Sequence, residues 1–253
     1  MLMVLDVGNT NTVLGIFSNE ELLNHWRLTT ERERTADEYG ILIRTLFGLG
    51  EVSNGTVTAI VISSVVPPAR PALEEMGVRY FGIRPLFIEA TMDLGMTVRY
   101  NPPADVGADR IVNAVAAYAQ FGGPAVVVDF GTATTFDAIS PQGEYLGGVI
   151  APGIGISAEA LFLRAARLPR VEIRPPSKVV GDSTVGSIQS GLYWGYAGLV
   201  DGILRRMKDE IENPYVVSTG GLAELISPAC EEIDSVDRNL TLEGMRLVYE
   251  RLK

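Results

Sequence analysis

Residues 4–17 read VLDVGNTNTVLGIF, and residues 127–140 read VVDFGTATTFDAIS. Laid over one another, Asp6 meets Asp129 and Gly8 meets Gly131, 123 residues apart in a chain of 253. Val4/Val127, Thr12/Thr135 and Ile16/Ile139 coincide as well. Five identities in this window compare with about one expected at average composition. Each segment is an apolar run, a polar glycine-containing turn and a second apolar run, which is the pattern of a β-hairpin. A repeat at nearly half the chain length predicts a duplication, with domains at 1–117 and 118–253.

The turns carry the chemistry. A strand that ends in a glycine turn offers several backbone N–H groups in a small concave space, which suits phosphate oxygens. Gly8 lets a ligand approach the backbone, and Asn9, Thr10, Asn11 and Thr12 add donors without charge. Asp6 repels phosphate directly but can hold Mg²⁺ or its water shell. The second copy offers Asp129, Gly131, Thr132, Thr134 and Thr135. A single D-x-G is an ordinary turn, and the duplication is what favours phosphate. STGG at 218–221 follows a strand, and its glycines would let a nucleotide base and ribose lie against the backbone.

The remaining pattern alternates strand and helix. TADEYGILIRTLFGLG (35–50) reads as a helix with a Thr35/Glu38 capping box, closed by Gly48 and Gly50. Residues 57–66 read as a buried strand and 69–77 as a helix, and 215–221 and 222–227 repeat that pair. Helices are predicted over 109–121, 157–168 and 187–211. In the last, Gly191, Gly195, Gly198 and Gly202 share a face, which fits close approach of either the chain's own core or a partner subunit. Hairpins followed by strand–helix alternation indicate an α/β protein of two domains with mixed sheets flanked by helices.

Composition bounds the function. Apolar residues make up 47%, and 31 acidic against 21 basic residues give a net charge of −10. That balance opposes nucleic-acid binding and an anionic membrane surface, and an anionic substrate would need a local cation. One cysteine, Cys230, permits no internal disulfide and suits a reducing cytoplasm. One histidine, His25, excludes multi-histidine zinc sites and reads as a strand residue. The first residues lack the charge and apolar run of a signal peptide, and no stretch has the length of a membrane span. A P-loop motif is absent, and Gly153, Gly155 and Ala158 match G-x-G-x-x-A only with Pro152 interrupting.

With YNPPADVGADR (100–110), GGVIAPG (147–153) and GDSTVGSIQSG (181–191), the paired hairpins resemble the type III pantothenate kinases of the acetate and sugar kinase, Hsp70 and actin superfamily. The resemblance runs from end to end. It implies two ribonuclease H-like, actin-like ATPase domains. It also implies phosphoryl transfer from ATP to the 4′-hydroxyl of pantothenate, the first step to coenzyme A. In its terms Asp6, Val7, Gly8, Asn9, Thr10, Asn11, Thr12 and Val13 line the ATP phosphates, with Thr132 on the other wall. Asp109 is the base, and Tyr100, Gly107, Ala108, Arg110 and Thr184 join it in holding pantothenate. Asp129 binds a monovalent cation, K⁺ or NH₄⁺, beside the Mg²⁺ that accompanies ATP. The family is dimeric, so a homodimer is implied.

Read from residues alone, Asp109 is equally a helix N-cap before RIVNAVAAY, and Arg110 equally a surface charge. Two rival functions stand beside the kinase. One is a kinase for another small hydroxylated substrate; the other is a nucleotide-binding regulator without turnover, which would need the hairpins but no carboxylate at an acceptor hydroxyl.

Overall fold

The structure, a computed structural model, describes residues 1–50 and 52–253. It contains two compact units. Met1–Met96, Tyr100–Ala116 and Thr241–Lys253 form the first; Thr97–Arg99 and Ala117–Leu240 form the second. The end of the chain therefore returns to the unit in which it began.

The first unit runs β1 (Leu2–Val7), β2 (Asn11–Ser18), β3 (Glu21–Thr29), α1 (Ala36–Leu49), β4 (Ala59–Ser64), α2 (Arg70–Phe81) and β5 (Leu86–Phe87). The short β6 (Thr97–Val98) joins the second sheet, and α3 (Ala108–Phe121) begins in the first unit. Then come β7 (Ala125–Phe130), β8 (Ala133–Ile139), β9 (Glu144–Pro152), α4 (Ile154–Arg164), α5 (Thr184–Glu210), β10 (Tyr215–Thr219), α6 (Ala223–Ile226) and β11 (Ser235–Val236). The last helix, α7 (Leu240–Leu252), lies in the first unit after its opening residue. The sheets are ordered β3-β2-β1-β4-β5 and β11-β10-β7-β8-β9-β6. Apart from β6, the second repeats the first, β7 standing for β1 and β10 for β4. In both, two antiparallel hairpin connections precede parallel pairing.

The repeat seen in the sequence is corrected at one point. Val7 pairs with Thr12 across the first turn, but Phe130 pairs with Thr134 across the second. The second turn is one residue shorter. The structural counterpart of Thr12 is therefore Thr134, not Thr135, and that of Ile16 is Ala138, not Ile139. A bulge then falls at the same place in both copies, between Ile16 and Phe17 and between Ala138 and Ile139.

Alternation puts one face of each sheet into a core. Met3, Leu5 and Val7 of β1 pack with Tyr39, Ile43 and Phe47 of α1 and Leu73 and Met76 of α2. Val126, Val128 and Phe130 of β7 pack with Ile188, Leu192, Tyr196 and Val200 of α5. Each such large side chain contributes about 1.5–3 kcal/mol by leaving water. Helix α1 starts at the expected box: Thr35 N–H donates to Glu38 (2.7 Å), and Glu38 N–H donates to Thr35 Oγ1 (3.3 Å). Gly50 ends it, whereas Gly48 lies inside it.

Two other helices differ from expectation. Helix α4 starts at Ile154, three residues early, because Pro152 and Gly153 turn β9 straight into it. Helix α5 starts at Thr184 because Ser183 caps it, its hydroxyl accepting from Gly186 N–H (3.1 Å). A Cβ built on Gly191, Gly195 or Gly198 would meet nothing within 4 Å, so the stripe does not serve the chain's own core.

Candidate active site

The first turn is braced by its own backbone. Gly8 N–H donates to Asn11 O (3.0 Å), and Thr30 N–H donates to Thr10 O (3.0 Å). Asn9 and Thr10 are exposed at the tip, with Gly8 and Asn11 half-buried beside them. Val7 and Thr12 are fully buried, and Thr12 Oγ1 lies 2.8 Å from Thr30 Oγ1. Neither of these residues presents a side chain at the surface. Asp6 and Val13 are half-buried and directly paired across the hairpin. On the other side Asp6 adjoins Ser63 of β4, whose fully buried hydroxyl has no hydrogen-bond partner. A buried hydroxyl without a partner costs about 1–3 kcal/mol. An orphaned oxygen beside a carboxylate fits the water shell of a Mg²⁺ ion held at Asp6.

The second turn repeats the bracing. Gly131 N–H donates to Ala133 O (3.1 Å), and Gly153 N–H donates to Thr132 O (3.1 Å). Gly153 stands where the first copy has Thr30, and a Cβ there would overlap the Thr132 carbonyl oxygen. This is why GGVIAPG ends in glycine. Tyr196 of α5 secures the same corner: its hydroxyl donates to Pro152 O (2.8 Å) and lies 2.5 Å from Ser157 Oγ. Thr132 is exposed.

Asp129 is half-buried at the end of β7, paired with Thr135 on one side and Thr219 on the other. Gly220 follows Thr219 with φ +94°, and a Cβ on it would overlap Asp129 Oδ1. This first glycine of the STGG pair thus makes room for a carboxylate of the chain itself. Among the described residues, no three His, Cys, Asp or Glu side chains gather as a metal cage. An ion at Asp129 would share one carboxylate with hydroxyl and carbonyl oxygens.

The 100–110 segment leads into α3. Arg110 N–H and Ile111 N–H donate to Gly107 O (3.1 and 3.4 Å). Gly107 therefore precedes the helix, and Asp109 is its second residue, not its cap. The Asp109 carboxylate folds back so that Oδ1 accepts from Arg110 N–H (2.9 Å). A Cβ on Gly107 would overlap that oxygen, so a larger residue there would displace the carboxylate. Burial raises the Asp109 pKa above its ordinary value; the Arg110 N–H and the Arg110 charge act in the opposite direction without winning. Arg110 is buried, which removes the surface-charge reading, and Tyr100 is half-buried. Thr184 is exposed as the first residue of α5, beside an open groove of about 940 Å³ lined by Leu161, Leu168, Ser183, Ile188 and Leu192.

The first unit thus carries residues 6–13, Tyr100 and Gly107–Arg110, and the second carries Asp129, Thr132 and Thr184. Sequence reasoning overlooked Gly153 as a brace, and it overlooked Asp137. The signal for Asp137 was present: an acid in the middle of an apolar strand. His25, read as a strand residue, is exposed on β3, and burial pushes the Cys230 thiol up to about 12, which disfavours the reactive thiolate.

The sequence profile described as "Type III pantothenate kinase" matches residues 2–206. A protein named type III pantothenate kinase from Koribacter versatilis is 56% identical over 262 residues, covering 99% of this chain and 96% of its own. The chain belongs to the type III pantothenate kinases. A second member, from Myxococcus xanthus, is 56% identical over 252 residues, covering 99% and 98%. The fold reaches further than the family. The activator of the 2-hydroxyisocaproyl-CoA dehydratase from Clostridium difficile, solved with bound ADPNP, superposes with a TM-score of 0.59 at 11% identity, covering 99% of this chain and 96% of that one. The architecture of this type III kinase is accordingly that of actin-like ATPases and sugar kinases, two α/β domains with mixed sheets.

Proposed function

We propose that this kinase transfers the γ-phosphoryl group of ATP to the 4′-hydroxyl of pantothenate, the first step of coenzyme A biosynthesis. The observation that carries the reading is full-length membership of the family, with its GADR aspartate intact as Asp109. Phosphoryl transfer passes through a loose transition state, so catalysis is mostly positioning and charge stabilisation. The backbone of residues 7–12 and the exposed Thr10 and Thr132 would receive phosphate oxygens. Asp109 would orient the acceptor hydroxyl and take its proton late. Its raised pKa makes it a better base than an ordinary aspartate. Arg110 would pair the pantothenate carboxylate, with Tyr100, Gly107, Ala108 and Thr184 shaping the rest of the pocket.

Asp6 would hold Mg²⁺ directly or through water, and Asp129 a K⁺ or NH₄⁺ ion. When bound, these ions offset the negative charge that phosphate brings to an acidic protein. We read the active form as a cytoplasmic homodimer. The exposed stripe Gly191, Gly195 and Gly198, with Trp194 exposed beside it, supports a partner subunit against α5. No helix of the described residues is long and apolar enough to cross a membrane. The decisive experiment is phosphorylation of pantothenate by the purified protein with ATP, Mg²⁺ and K⁺. Product supports the reading. ATP binding without product would discard pantothenate and favour another acceptor or a regulator.

A further inference from the structure

Residues 6–13 include no basic side chain. A phosphate chain at the first turn must therefore draw positive charge from an ion or from a neighbouring segment. Such a segment lies next to the turn. Thr29, the last residue of β3, pairs with Asn11 where the hairpin leaves its turn, and Thr30 N–H braces Thr10 O. Residues 30–35 lead from there to the Thr35 cap of α1. Arg34 N–H donates to Glu31 O (3.2 Å), which folds the segment into a compact turn. Arg34 and the start of α1 are thereby held at the end of the sheet that carries the glycine turn. Arg34 is half-buried, and its guanidinium carbon lies 5.3 Å from the centre of the Tyr39 ring. Tyr39 is fully buried in the first turn of α1. Long side chains on a helix lean toward its N-terminus, which here is that same end of the sheet.

Both side chains hold a buried polar atom without a hydrogen-bond partner, Arg34 Nη1 and the Tyr39 hydroxyl. A buried donor left unmet costs stability, and a charged one costs more. The nearby acids are committed elsewhere or face water. Glu38 accepts from Thr35 N–H (2.7 Å) and from its hydroxyl (2.9 Å). Asp37 is held by Arg79 (2.8 Å) and by the Tyr80 hydroxyl (2.7 Å). Glu31 and Glu33 are exposed. The second copy serves as a control. There Gly153 stands in place of Thr30 and α4 begins at the next residue, so no connecting segment and no cation follow. The tyrosine at that corner, Tyr196, is satisfied within the chain by Pro152 O and Ser157 Oγ. A cation and a hydroxyl left open beside one turn, and not beside the other, fit an oxyanion received at the first turn.

We propose that Arg34, seated on the Tyr39 ring, binds an oxygen of the ATP phosphate chain at the first turn, with the Tyr39 hydroxyl as a second donor. This rests on the reading of that turn as the phosphate site. The test is calorimetric binding of MgATP and of adenosine. Arg34→Gln should weaken MgATP about tenfold or more and leave adenosine within about twofold, with Arg34→Lys recovering part of the loss. The KM for pantothenate should also stay within about twofold. Tyr39→Phe keeps the ring under the guanidinium and removes the unpartnered hydroxyl. The free variant should melt no lower than the parent, while MgATP binding weakens about threefold. A loss of affinity without a loss of stability marks a ligand contact, and it carries the test if Arg34→Gln fails to fold. A folded Arg34→Gln protein with wild-type MgATP affinity overturns the proposal. Asp6→Asn, run beside it, separates the two readings. If MgATP affinity is unchanged there, the phosphates do not lie at the first turn and both fall; if it is lost there but intact in Arg34→Gln, only the proposal falls.

Discussion

The two hairpins share a backbone and differ in what they pack around it. In each, the first glycine N–H closes the turn, and an N–H from the third strand's end braces the carbonyl of Thr10 or Thr132. These bonds hold each turn in shape, and they recur with the bulge in place. Apart from the second turn being one residue shorter, the differences lie in side chains. The first copy fills the space around Asp6 with Val13 and Gly15; the second surrounds Asp129 with Thr135, Asp137 and Gly220. Asp109 has no counterpart either, since α7, which follows β11 in chain order as α3 follows the short strands of the first half, has Thr241 as its second residue. After duplication, the shared parts would serve the ligand common to both halves, and the unshared parts would supply chemistry needed once.

The sharpest way to break that comparison is at Asp109. Asp109→Asn should lower kcat by about 10²–10⁴-fold. ATP affinity, measured by calorimetry, should stay within about twofold, because the turns are untouched. Stability should move the other way. A carboxyl whose pKa is raised by folding binds more protons folded than unfolded, so stability falls as pH rises from its ordinary value of about 3.9 through the raised one. The Asn variant should therefore melt above the parent at neutral pH, and the difference should vanish below that window. Retained turnover would remove Asp109 from the mechanism.

Gly220 sharpens the contrast next. Gly220→Ala adds a Cβ against Asp129 at φ +94°, and should cost about 1–3 kcal/mol in chemical denaturation along with the K⁺ response. Gly8→Ala, with a Cβ 3.0 Å from Asn11 O and φ outside the left-handed range, should cost less stability. An equal cost at both would show that the turns are equally constrained.

A smaller effect separates the paired threonines. Thr12→Val leaves the buried Thr30 hydroxyl without its partner and should destabilise by about 1–3 kcal/mol. Thr134→Val, its counterpart, removes a buried hydroxyl that has no partner, and should be neutral or stabilising by about 1 kcal/mol. Opposite signs in thermal melts support the equivalence of the two positions; equal losses would contradict it. The smallest effect is at Cys230, where native protein at pH 8 should resist iodoacetamide and lose little activity on Cys230→Ala.

The duplication, both hairpins, the capping box of α1 and the family were legible because each depends on local spacing: alternation, a turn residue or a contiguous motif. The repeat also singled out Asp6 and Asp129 as candidates, and the resemblance added Asp109. It misread what depends on residues distant in the chain. The Thr12/Thr135 match looked right because identity was counted without the register, and one residue lost in a turn moves every later partner. Asp109 looked like a cap, but the Gly107 carbonyl takes the first helix bonds and burial shifts its pKa. Gly153 and Gly220 are required by carbonyl and carboxylate oxygens many residues away, and Asp137 gains its meaning from Thr135 and Tyr145 around it. Local pattern determines which elements form; close approach, burial and hydrogen-bond partners are set only when the sheet assembles, and these decide what each side chain can do.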